Sequence, residues 1–283
     1  MFVKRLGDLR REGREKVLCD GKARTVRFLT TDDGMGFTMS DVRLEPGMDQ
    51  ILWYKNHWEA NYVAAGKGTL EDTGTGQTWP LEVGVIYAVG PKDRHRIVAH
   101  QPMHIVSIFN PPLSGNEAHD GDGSYEPTGR VPPGRGTMFV KSLAELRAAG
   151  REKVVAGGSA RTVRALLQED GLGITLADVN LAAGNRNTLW YKNHWEANYI
   201  LGGEGEVSDL TTGDVWKMEP GMMYCVGPQD RHSMFAKSDL HLLSIFCPAL
   251  QGDEMHDAEG TLAASGPIPP GPQNKTQKER SSC

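Results

Sequence analysis

The chain has 283 residues, of which 39% are hydrophobic and 24% charged, with a net charge of −5 and a pI near 6.0. This length indicates about two globular domains, and the composition is ordinary for a soluble protein. The acidic balance argues against nucleic acid or an anionic membrane surface as a partner.

Two further features bear on where the protein acts. No apolar run reaches the length of a membrane span, and the first residues lack the apolar core of a signal peptide. The four cysteines, Cys19, Cys225, Cys247 and Cys283, occupy unrelated positions, which is typical of reduced thiols rather than of a disulfide framework. We therefore expect a cytoplasmic protein without a membrane partner.

The local pattern along the chain is that of an all-β protein. A short helix is predicted at 6–16, where leucines and charges alternate, and its counterpart at 143–153. After each helix come short runs rich in Val, Ile, Tyr and Trp, such as TVRFLT, QILWY, GVIYAVG and MHIVSIFN. Gly-rich turns such as DDGMG, GKG and VGPKD separate these runs, which predicts a β-sandwich or barrel.

The sequence repeats itself at an offset of 137 residues, the distance from Trp53 to Trp190. The run WYKNHWEANY occurs in both halves, as do MFVK, ARTVR, DRH and SIF at the same offset. Such a repeat is the mark of a tandem duplication. We predict a first domain at 1–125, a Pro/Gly-rich linker at 126–137, a second domain at 138–270 and a disordered polar tail at 271–283.

Two clusters in each half carry groups that could bind a metal. His57 and Glu59 are two residues apart on a predicted strand, so they should project to one face, and Tyr62 follows. Tyr87 and His95 are separated by a Gly-Pro turn that can return the chain to the same region. Imidazole and carboxylate suit Fe(II), Zn or Mn, and a facial arrangement with open positions suits Fe(II). The counterparts are His194, Glu196, Tyr199, Tyr224 and His232.

Other polar and aromatic residues near these clusters are more typical of structural roles. An isolated His-x-Glu pair is itself more often a hydrogen-bonded strand pair than a metal site. The histidines inside apolar runs, the tryptophans beside the first cluster and the aspartates of the GPxDRH turn suggest strand-edge packing, core packing and turn capping. These residues are His104, His241, Trp58, Trp195, Asp93 and Asp230.

The order of the clusters resembles the two-part motif of cupins, in which a Gly-rich hairpin joins strands that carry metal ligands to one barrel interior. Here the strand with His-x-Glu is followed by Gly66 and Gly68, and P-x-D-x-H follows later in each half. The resemblance implies two tandem cupin domains, each a small β-barrel or jelly roll with a short helix, and thus a bicupin.

A closer resemblance is to the ectoine synthase family of cupins. The blocks DDGMGFTMSDV, WYKNHWEANYVAAGKG, VGPKDRH and IFNPPLSGNEAHDGDGSY follow that family in order and spacing, and the resemblance covers nearly all of each half. It implies one Fe(II) per domain, with Zn or Mn as substitutes, and loss of water from an N-acetylated diaminobutyrate to form a cyclic amidine. The metal ligands would be Glu59, Tyr87, His95, Glu196, Tyr224 and His232.

The family's remaining site residues suit proton transfer and substrate binding. Ring closure requires a base and an acid, and an arginine can bind a carboxylate through two hydrogen bonds. The catalytic candidates are Tyr54, Glu117, His119, Tyr191, Glu254 and His256. The substrate-binding candidates are Arg27, His57, Phe109, Arg164, His194 and Phe246.

Several positions on the expected substrate side depart from the family or differ between the halves. A tryptophan four residues before the arginine is replaced by alanine, a polar position is serine in one half and alanine in the other, and a threonine is replaced by valine. These positions are Ala23, Ser40, Val42, Ala160, Ala177 and Val179. The pattern predicts that the metal chemistry is kept, whereas it leaves the identity of the substrate open between the family's own substrate and a relative of it.

Three functions are compatible with this pattern. The first is an Fe(II)-dependent cyclodehydratase acting on an amino-acid-derived small molecule, the second a different non-heme iron cupin such as an oxygenase or isomerase, and the third a non-catalytic small-molecule-binding bicupin. Because the single-domain relatives associate in pairs, the two halves should pack together as an intramolecular pseudo-dimer.

Overall fold

The computed structural model describes residues 1–272 except 156, 157 and 159. Most of the predicted tail, residues 273–283, lies outside the described residues. The first half contains β1 (Phe2–Arg5), α1 (Leu6–Arg11), β2 (Glu15–Leu18), β3 (Ala23–Leu29), β4 (Thr38–Leu44), β5 (Asp49–Leu52), β6 (Trp58–Ala65), β7 (Gly68–Asp72), β8 (Thr78–Leu81), β9 (Val85–Val89), β10 (His95–Ala99) and β11 (Met103–Asn110).

The second half repeats this order. Its elements are β12 (Phe139–Ser142), α2 (Leu143–Ala148), β13 (Glu152–Val155), β14 (Ala160–Leu166), β15 (Thr175–Leu181), β16 (Arg186–Leu189), β17 (Trp195–Gly202), β18 (Gly205–Asp209), β19 (Val215–Met218), β20 (Met222–Val226), β21 (His232–Ala236) and β22 (Leu240–Cys247). The all-β prediction with short helices is therefore confirmed.

Both helices are shorter than predicted. Gly13 and Gly150, each at φ 73°, end α1 and α2 after six residues, because glycine adopts this left-handed conformation without a steric penalty. The residues that would have continued the helices form β2 and β13 instead, and these strands pair with β3 and β14. The segment 6–16, in which leucines and charges alternate, therefore contains one helix and the first residues of a strand.

Each half contains two antiparallel sheets that enclose a hydrophobic core. In the first half the seven-stranded sheet has the order β12-β9-β6-β11-β4-β3-β2, and the four-stranded sheet has the order β5-β10-β7-β8. The core between them includes Leu70 and Ile97 from the smaller sheet and Val63 and Ile105 from the larger one. The hydrogen bonding leaves the two sheets separate, so the jelly-roll form of the prediction describes the fold better than a closed barrel.

The first strand of each half belongs to the large sheet of the other half. β1 pairs with β20, so that Val3 lies opposite Tyr224, and β12 pairs with β9, so that Val140 lies opposite Tyr87. The second large sheet accordingly has the order β1-β20-β17-β22-β15-β14-β13, and its partner sheet β16-β21-β18-β19. The exchange is reciprocal, and each large sheet is completed by the other repeat.

The two halves also share a buried core. Phe28 and Tyr62 of the first half belong to the same hydrophobic cluster as Val163 and Tyr199 of the second, and the rings of Phe28 and Tyr199 meet edge to face at 5.3 Å. Burial of this apolar surface supplies the main attraction between the halves. The arrangement agrees with the expected intramolecular pair.

Buried carboxylates make the polar contacts across this core. The Tyr199 hydroxyl donates to Asp41 at 2.6 Å, and the Tyr62 hydroxyl donates to Asp178 at 2.8 Å. His104 and His241 contact the same two carboxylates, each at 2.6 Å. Both histidines therefore have a structural role, as their position in apolar runs suggested, although that role is at the interface between the halves. Tyr62 and Tyr199 are interface residues rather than members of the metal cluster.

The linker packs against the protein. Trp58 donates its indole N–H to the carbonyl oxygen of Pro132 at 3.1 Å, and the Gly134 N–H donates to Gly171 at 3.1 Å. Trp195 makes the equivalent bond to Pro269, which confirms the packing role predicted for both tryptophans. Among the described residues no helix is long and apolar enough to cross a membrane.

Candidate functional site

A row of polar residues crosses the large sheet of the first half. Arg27 lies opposite Ser40, Ser40 opposite Ser107, Ser107 opposite Asn61, and Asn61 opposite Tyr87. Residues that face each other across paired strands project to the same side of a sheet, and all five side chains line the cavity between the two sheets, here called the first cavity. The corresponding residues of the second cavity are Arg164, Ala177, Ser244, Asn198 and Tyr224.

The candidate metal ligands lie at the end of this row nearest the small sheet. Glu59 is two residues from Asn61 on β6 and so shares its face, Tyr87 is on β9, and His95 begins β10 of the small sheet. All three line the first cavity and are 7%, 3% and 1% exposed, respectively. The fold thus brings together three residues that are up to 36 positions apart in the chain. In the second half Glu196 and Tyr224 line the cavity, and His232 is fully buried beside them.

Each candidate histidine is oriented by the backbone. The Nδ1 atom of His95 lies 3.1 Å from the carbonyl oxygen of Asp93, and that of His232 lies 3.2 Å from the carbonyl oxygen of Asp230. A proton on Nδ1 leaves the Nε2 lone pair free, which is the usual arrangement of a metal-binding histidine. Nε2 of His232 is buried and has no hydrogen-bond partner in the described part of the chain. An unpaired acceptor at this place fits a bound cation.

The aspartates that orient these histidines have the structural role expected of them. The carboxylate of Asp93 accepts from the Gly90 N–H at 2.8 Å, and that of Asp230 accepts from Gly227 at 2.9 Å. They close the Gly-Pro turn that carries each candidate histidine.

Burial makes the charged forms of these groups unfavourable without a cation. It raises the pKa of Glu59 and of Glu196 to about 7, against hydrogen bonds from neighbouring Asn and Ser side chains. It raises the pKa of Tyr87 well above its usual range and lowers that of His95 to about 4. A bound divalent cation would reverse this preference for the carboxylate and the phenol, so the donor set fits a first-row metal.

The metal cluster depends on its tyrosine. Among the described residues no group of three or more His, Cys, Asp or Glu side chains is placed to hold a metal ion. A metal ion bound by Glu59 and His95 would therefore take Tyr87 as its third donor, and one bound by Glu196 and His232 would take Tyr224. An oxygen-rich set with one imidazole is compatible with Fe(II), Zn or Mn.

A tyrosine and a histidine are in hydrogen-bond contact in each cavity. The hydroxyl of Tyr54 lies 3.2 Å from Nε2 of His119, and that of Tyr191 lies 3.0 Å from Nε2 of His256. Tyr54 comes from the turn at 53–57 before β6, so strand parity does not limit its direction. Burial lowers the pKa of His119 to about 4 and raises that of Tyr54 well above its usual range. At pH 7 both are neutral and can exchange a proton with a ligand.

The arginine of each cavity is held by a glutamate. Arg27 donates to Glu117 at 2.7 Å and Arg164 donates to Glu254 at 3.0 Å, with both partners nearly buried. Burial raises the pKa of Glu117, but hydrogen bonds from the backbone and from Ser114, together with Arg27, bring it below its usual range. Glu117 and Glu254 therefore stay ionised at pH 7 and sit behind the arginines, outside the cavity lining.

The structure places His57 and His194 behind the cavities rather than in their lining. His57 is fully buried, its Nε2 lies 2.9 Å from the Thr128 hydroxyl, and its ring is edge-on to Phe109 at 6.3 Å. Because β6 begins at Trp58, His57 precedes the strand and the expected common face with Glu59 does not form. Phe109 and Phe246 do line the cavities.

Sequence reasoning missed Tyr125. Its ring stacks on His119 with centroids 4.5 Å apart and on Tyr54 at 5.3 Å, and the Arg27 guanidinium lies 5.1 Å from its centre. The counterpart of Tyr125 is Leu262, so comparing the repeats hid it. The only signal was its place at the end of the DGDGSY block.

Comparison with solved structures defines the class of protein. Oxalate decarboxylase from Lactobacillus farciminis superposes with a TM-score of 0.64 at 13% identity, over 89% of this chain and 87% of that one. Protein Ylba from E. coli superposes with a TM-score of 0.59 at 15% identity, over 83% and 87%. At such low identity these similarities establish the fold alone. The chain is a bicupin.

Comparison of sequences then gives the family. The ectoine synthase family profile matches residues 1–129 and again 138–265. L-ectoine synthase of Oceanobacillus iheyensis is 41% identical over 123 residues, which are 44% of this chain and 94% of that protein. L-ectoine synthase of Desulfosudis oleivorans is 46% identical over 101 residues, which are 35% of this chain and 78% of that protein. The chain belongs to the ectoine synthase family of enzymes, with two copies of the family domain.

Proposed function

We propose that the chain is an Fe(II)-dependent cyclodehydratase that closes a cyclic amidine from an N-acetylated diamino acid, either N-acetyl-diaminobutyrate or a close analogue, in the cytoplasm. The observation that carries the proposal is the convergence of three kinds of group in one cavity. These are a buried Glu-Tyr-His cluster, a neutral Tyr-His pair and a fixed arginine. The relatives named L-ectoine synthase support the reaction type.

The reaction joins the free amine of the substrate to the carbon of its own acetamide. A carbon–nitrogen double bond forms, and the two protons of the amine leave with the carbonyl oxygen as water. No oxidant or reductant is needed. The catalyst must fold the substrate, move protons and stabilise charge on the amide oxygen.

Glu59, Tyr87 and His95 would hold the metal in the first cavity, and Glu196, Tyr224 and His232 in the second. A Lewis-acidic ion supplies polarisation of the amide oxygen, which is worth several kcal/mol of transition-state stabilisation.

The chain's own residues would perform the other tasks. Arg27, kept in place by Glu117, can bind the substrate carboxylate through two hydrogen bonds. Neutral His119 can accept the amine proton, and the Tyr54 hydroxyl beside it can donate to the departing oxygen. Phe109 and Tyr54, whose rings meet edge to face at 5.1 Å, exclude water and help to hold the substrate folded.

The direct test is turnover of N-acetyl-diaminobutyrate by the full chain loaded anaerobically with Fe(II), with loss of water followed by mass spectrometry. The variant with both Tyr54→Phe and Tyr191→Phe should bind metal normally and lose roughly 100-fold in rate. Absence of product from fully loaded protein would exclude N-acetyl-diaminobutyrate as the substrate, and absence of product from its close analogues as well would overturn the proposal. Oxygen uptake coupled to turnover would favour an oxygenase, and failure to bind any metal would favour a non-catalytic bicupin.

A further inference from the structure

The two cavities differ in size although their functional groups match. The first cavity has a volume of about 80 Å³ and the second about 340 Å³. Small-molecule sites usually measure roughly 300–1,000 Å³, so the second cavity is in that range, whereas the first is narrower and suits only a compact ligand. The metal cluster, the Tyr-His pair and the arginine are present in both, which places the cause of the difference in the walls.

The largest change in the walls is at Tyr125 and Leu262. The phenol of Tyr125 fills the space between Arg27, Tyr54 and His119, with ring contacts to the last two. At the same position the second half has Leu262, which is also buried and lines the second cavity. An isobutyl group leaves open the space that the phenol ring occupies.

Smaller changes at two other positions act in the same direction. Gln50, which accepts from the Cys19 thiol at 2.6 Å in the first cavity, is replaced by the shorter Asn187. Ser40, between Arg27 and Ser107 in the polar row, is replaced by Ala177. Each substitution removes atoms from the wall of the second cavity.

The substituted wall position lies beside the arginine and the Tyr-His pair. In the first half Tyr125 contacts Arg27 and His119, and Leu262 takes the equivalent position in the second half, whereas the candidate metal ligands keep their identities. Under the proposed function, this is the amino-acid side of the substrate rather than its acyl side.

We infer that the second cavity binds a diamino-acid derivative with a longer carbon chain than the first cavity admits, and that the residue at position 125 or 262 determines this difference. The kind of ligand rests on the proposed function, but the difference in size does not. The first cavity takes N-acetyl-diaminobutyrate or a molecule of that size, and the second also takes a homologue lengthened by methylene groups.

Reciprocal substitutions in the full, metal-loaded chain test this inference. Titration calorimetry would measure binding of Nγ-acetyl-diaminobutyrate and of Nε-acetyl-lysine, which has two more methylene groups. The shorter probe should occupy two sites and the longer probe one. Leu262→Tyr should weaken binding of the longer probe at least about tenfold, and Tyr125→Leu should create a second site for it, since one methylene group alone is worth 10–200-fold in a fitted pocket.

The unaltered cavity of each variant serves as its folding control, because it must still bind the shorter probe. Arg27 should keep its position in Tyr125→Leu, since Arg164 is held by Glu254 in the half that has Leu262 at the equivalent position. The inference would be overturned if the parent chain bound the two probes at the same number of sites. It would also be overturned if Leu262→Tyr did not weaken binding of the longer probe and Tyr125→Leu did not create a second site for it. Binding of the shorter probe without loss of water, from it or from its close analogues, would overturn the proposed function and leave the size difference standing.

Discussion

The two cavities of this chain share their chemistry and differ in their walls. Every candidate metal ligand, both Tyr-His pairs and both Arg-Glu pairs are repeated, whereas Tyr125, Gln50 and Ser40 are replaced by Leu262, Asn187 and Ala177. The repeated groups are buried and depend on one another, because removing one partner leaves a buried polar group unpaired. The wall residues are not tied to one another in this way, so they can differ between the halves while the candidate metal ligands, the Tyr-His pairs and the Arg-Glu pairs are kept.

The largest test of this comparison removes one metal site at a time. Glu59→Gln keeps the shape of the side chain but removes the anionic donor, and Glu196→Gln does the same in the second cavity. Each single variant should lose about half of the bound iron, and the double variant should lose nearly all of it, since loss of a ligand charge weakens metal binding strongly. Elemental analysis after anaerobic loading measures this. If one single variant removed all the metal, the centres would not be equivalent.

The strand exchange predicts which strand supports which metal site. In Glu59→Gln we expect the remaining metal in the second cavity, next to β1. Adding Val3→Asp puts a charge opposite Tyr224, which costs on the order of 1–3 kcal/mol if left unpaired, and should lower metal content further. Adding Val140→Asp should not do so, because Val140 lies opposite Tyr87. The reverse result would show that each repeat supports its own site.

Substitution of the buried aspartates should lower the free energy of unfolding to a different extent in the two halves. We expect this effect to be smaller than the losses of metal described above. Asp41 accepts from Tyr199 and, at both oxygens, from the Arg43 guanidinium at 3.0 Å. Asp178 accepts from Tyr62, from the neutral Asn180 amide at 3.0 Å and from a single nitrogen of Arg147 at 3.2 Å. Asp41→Asn should lower the free energy of unfolding at pH 7 by about 1–3 kcal/mol, and by more than Asp178→Asn. Urea titrations of both variants and the parent chain would measure this.

The same aspartate should make stability depend on pH. Burial raises the pKa of Asp41, but contacts with His104 and Arg43 depress it far below its usual range. A depressed carboxyl pKa stabilises the folded state above the unfolded value near 3.9, and this contribution is lost as the pH falls. The gap between parent and Asp41→Asn should therefore narrow from pH 7 to pH 3. A gap that stayed constant would contradict an ionised Asp41.

Much of the fold and part of the site could be predicted from the sequence. Short β-rich runs, Gly-rich turns and the 137-residue offset were sufficient for two all-β halves. The jelly-roll form and the cluster of Glu59, Tyr87 and His95 followed from the resemblance, and these three residues do line one cavity. His57 was misplaced because the strand begins one residue later than its pattern suggests. The expected domain boundaries, 1–125 and 138–270, stay predictions.

The strand exchange could not be predicted, because MFVK is identical in both halves. Each copy carries the same pairing information, so the sequence does not distinguish pairing with its own half from pairing with the other. The choice is made by chain geometry and by the shared core that includes Tyr62 and Tyr199. Tyr125 was missed for a related reason. Candidate site residues were identified because they occur in both copies, and Tyr125 is replaced by Leu262 in the second copy.

The exchange of β1 and β12 also sets an order of assembly on the ribosome. The first large sheet lacks its outer strand until residues 139–142 have been made, although its other six strands precede them. β1 remains unpaired for much longer, because its partner β20 lies about 220 residues later in the chain. Contacts between such distant residues form slowly. The large sheet that carries the first proposed metal site can thus be completed while the second half is still being translated, whereas the sheet that carries the second is completed by the segment of the chain that is synthesised first.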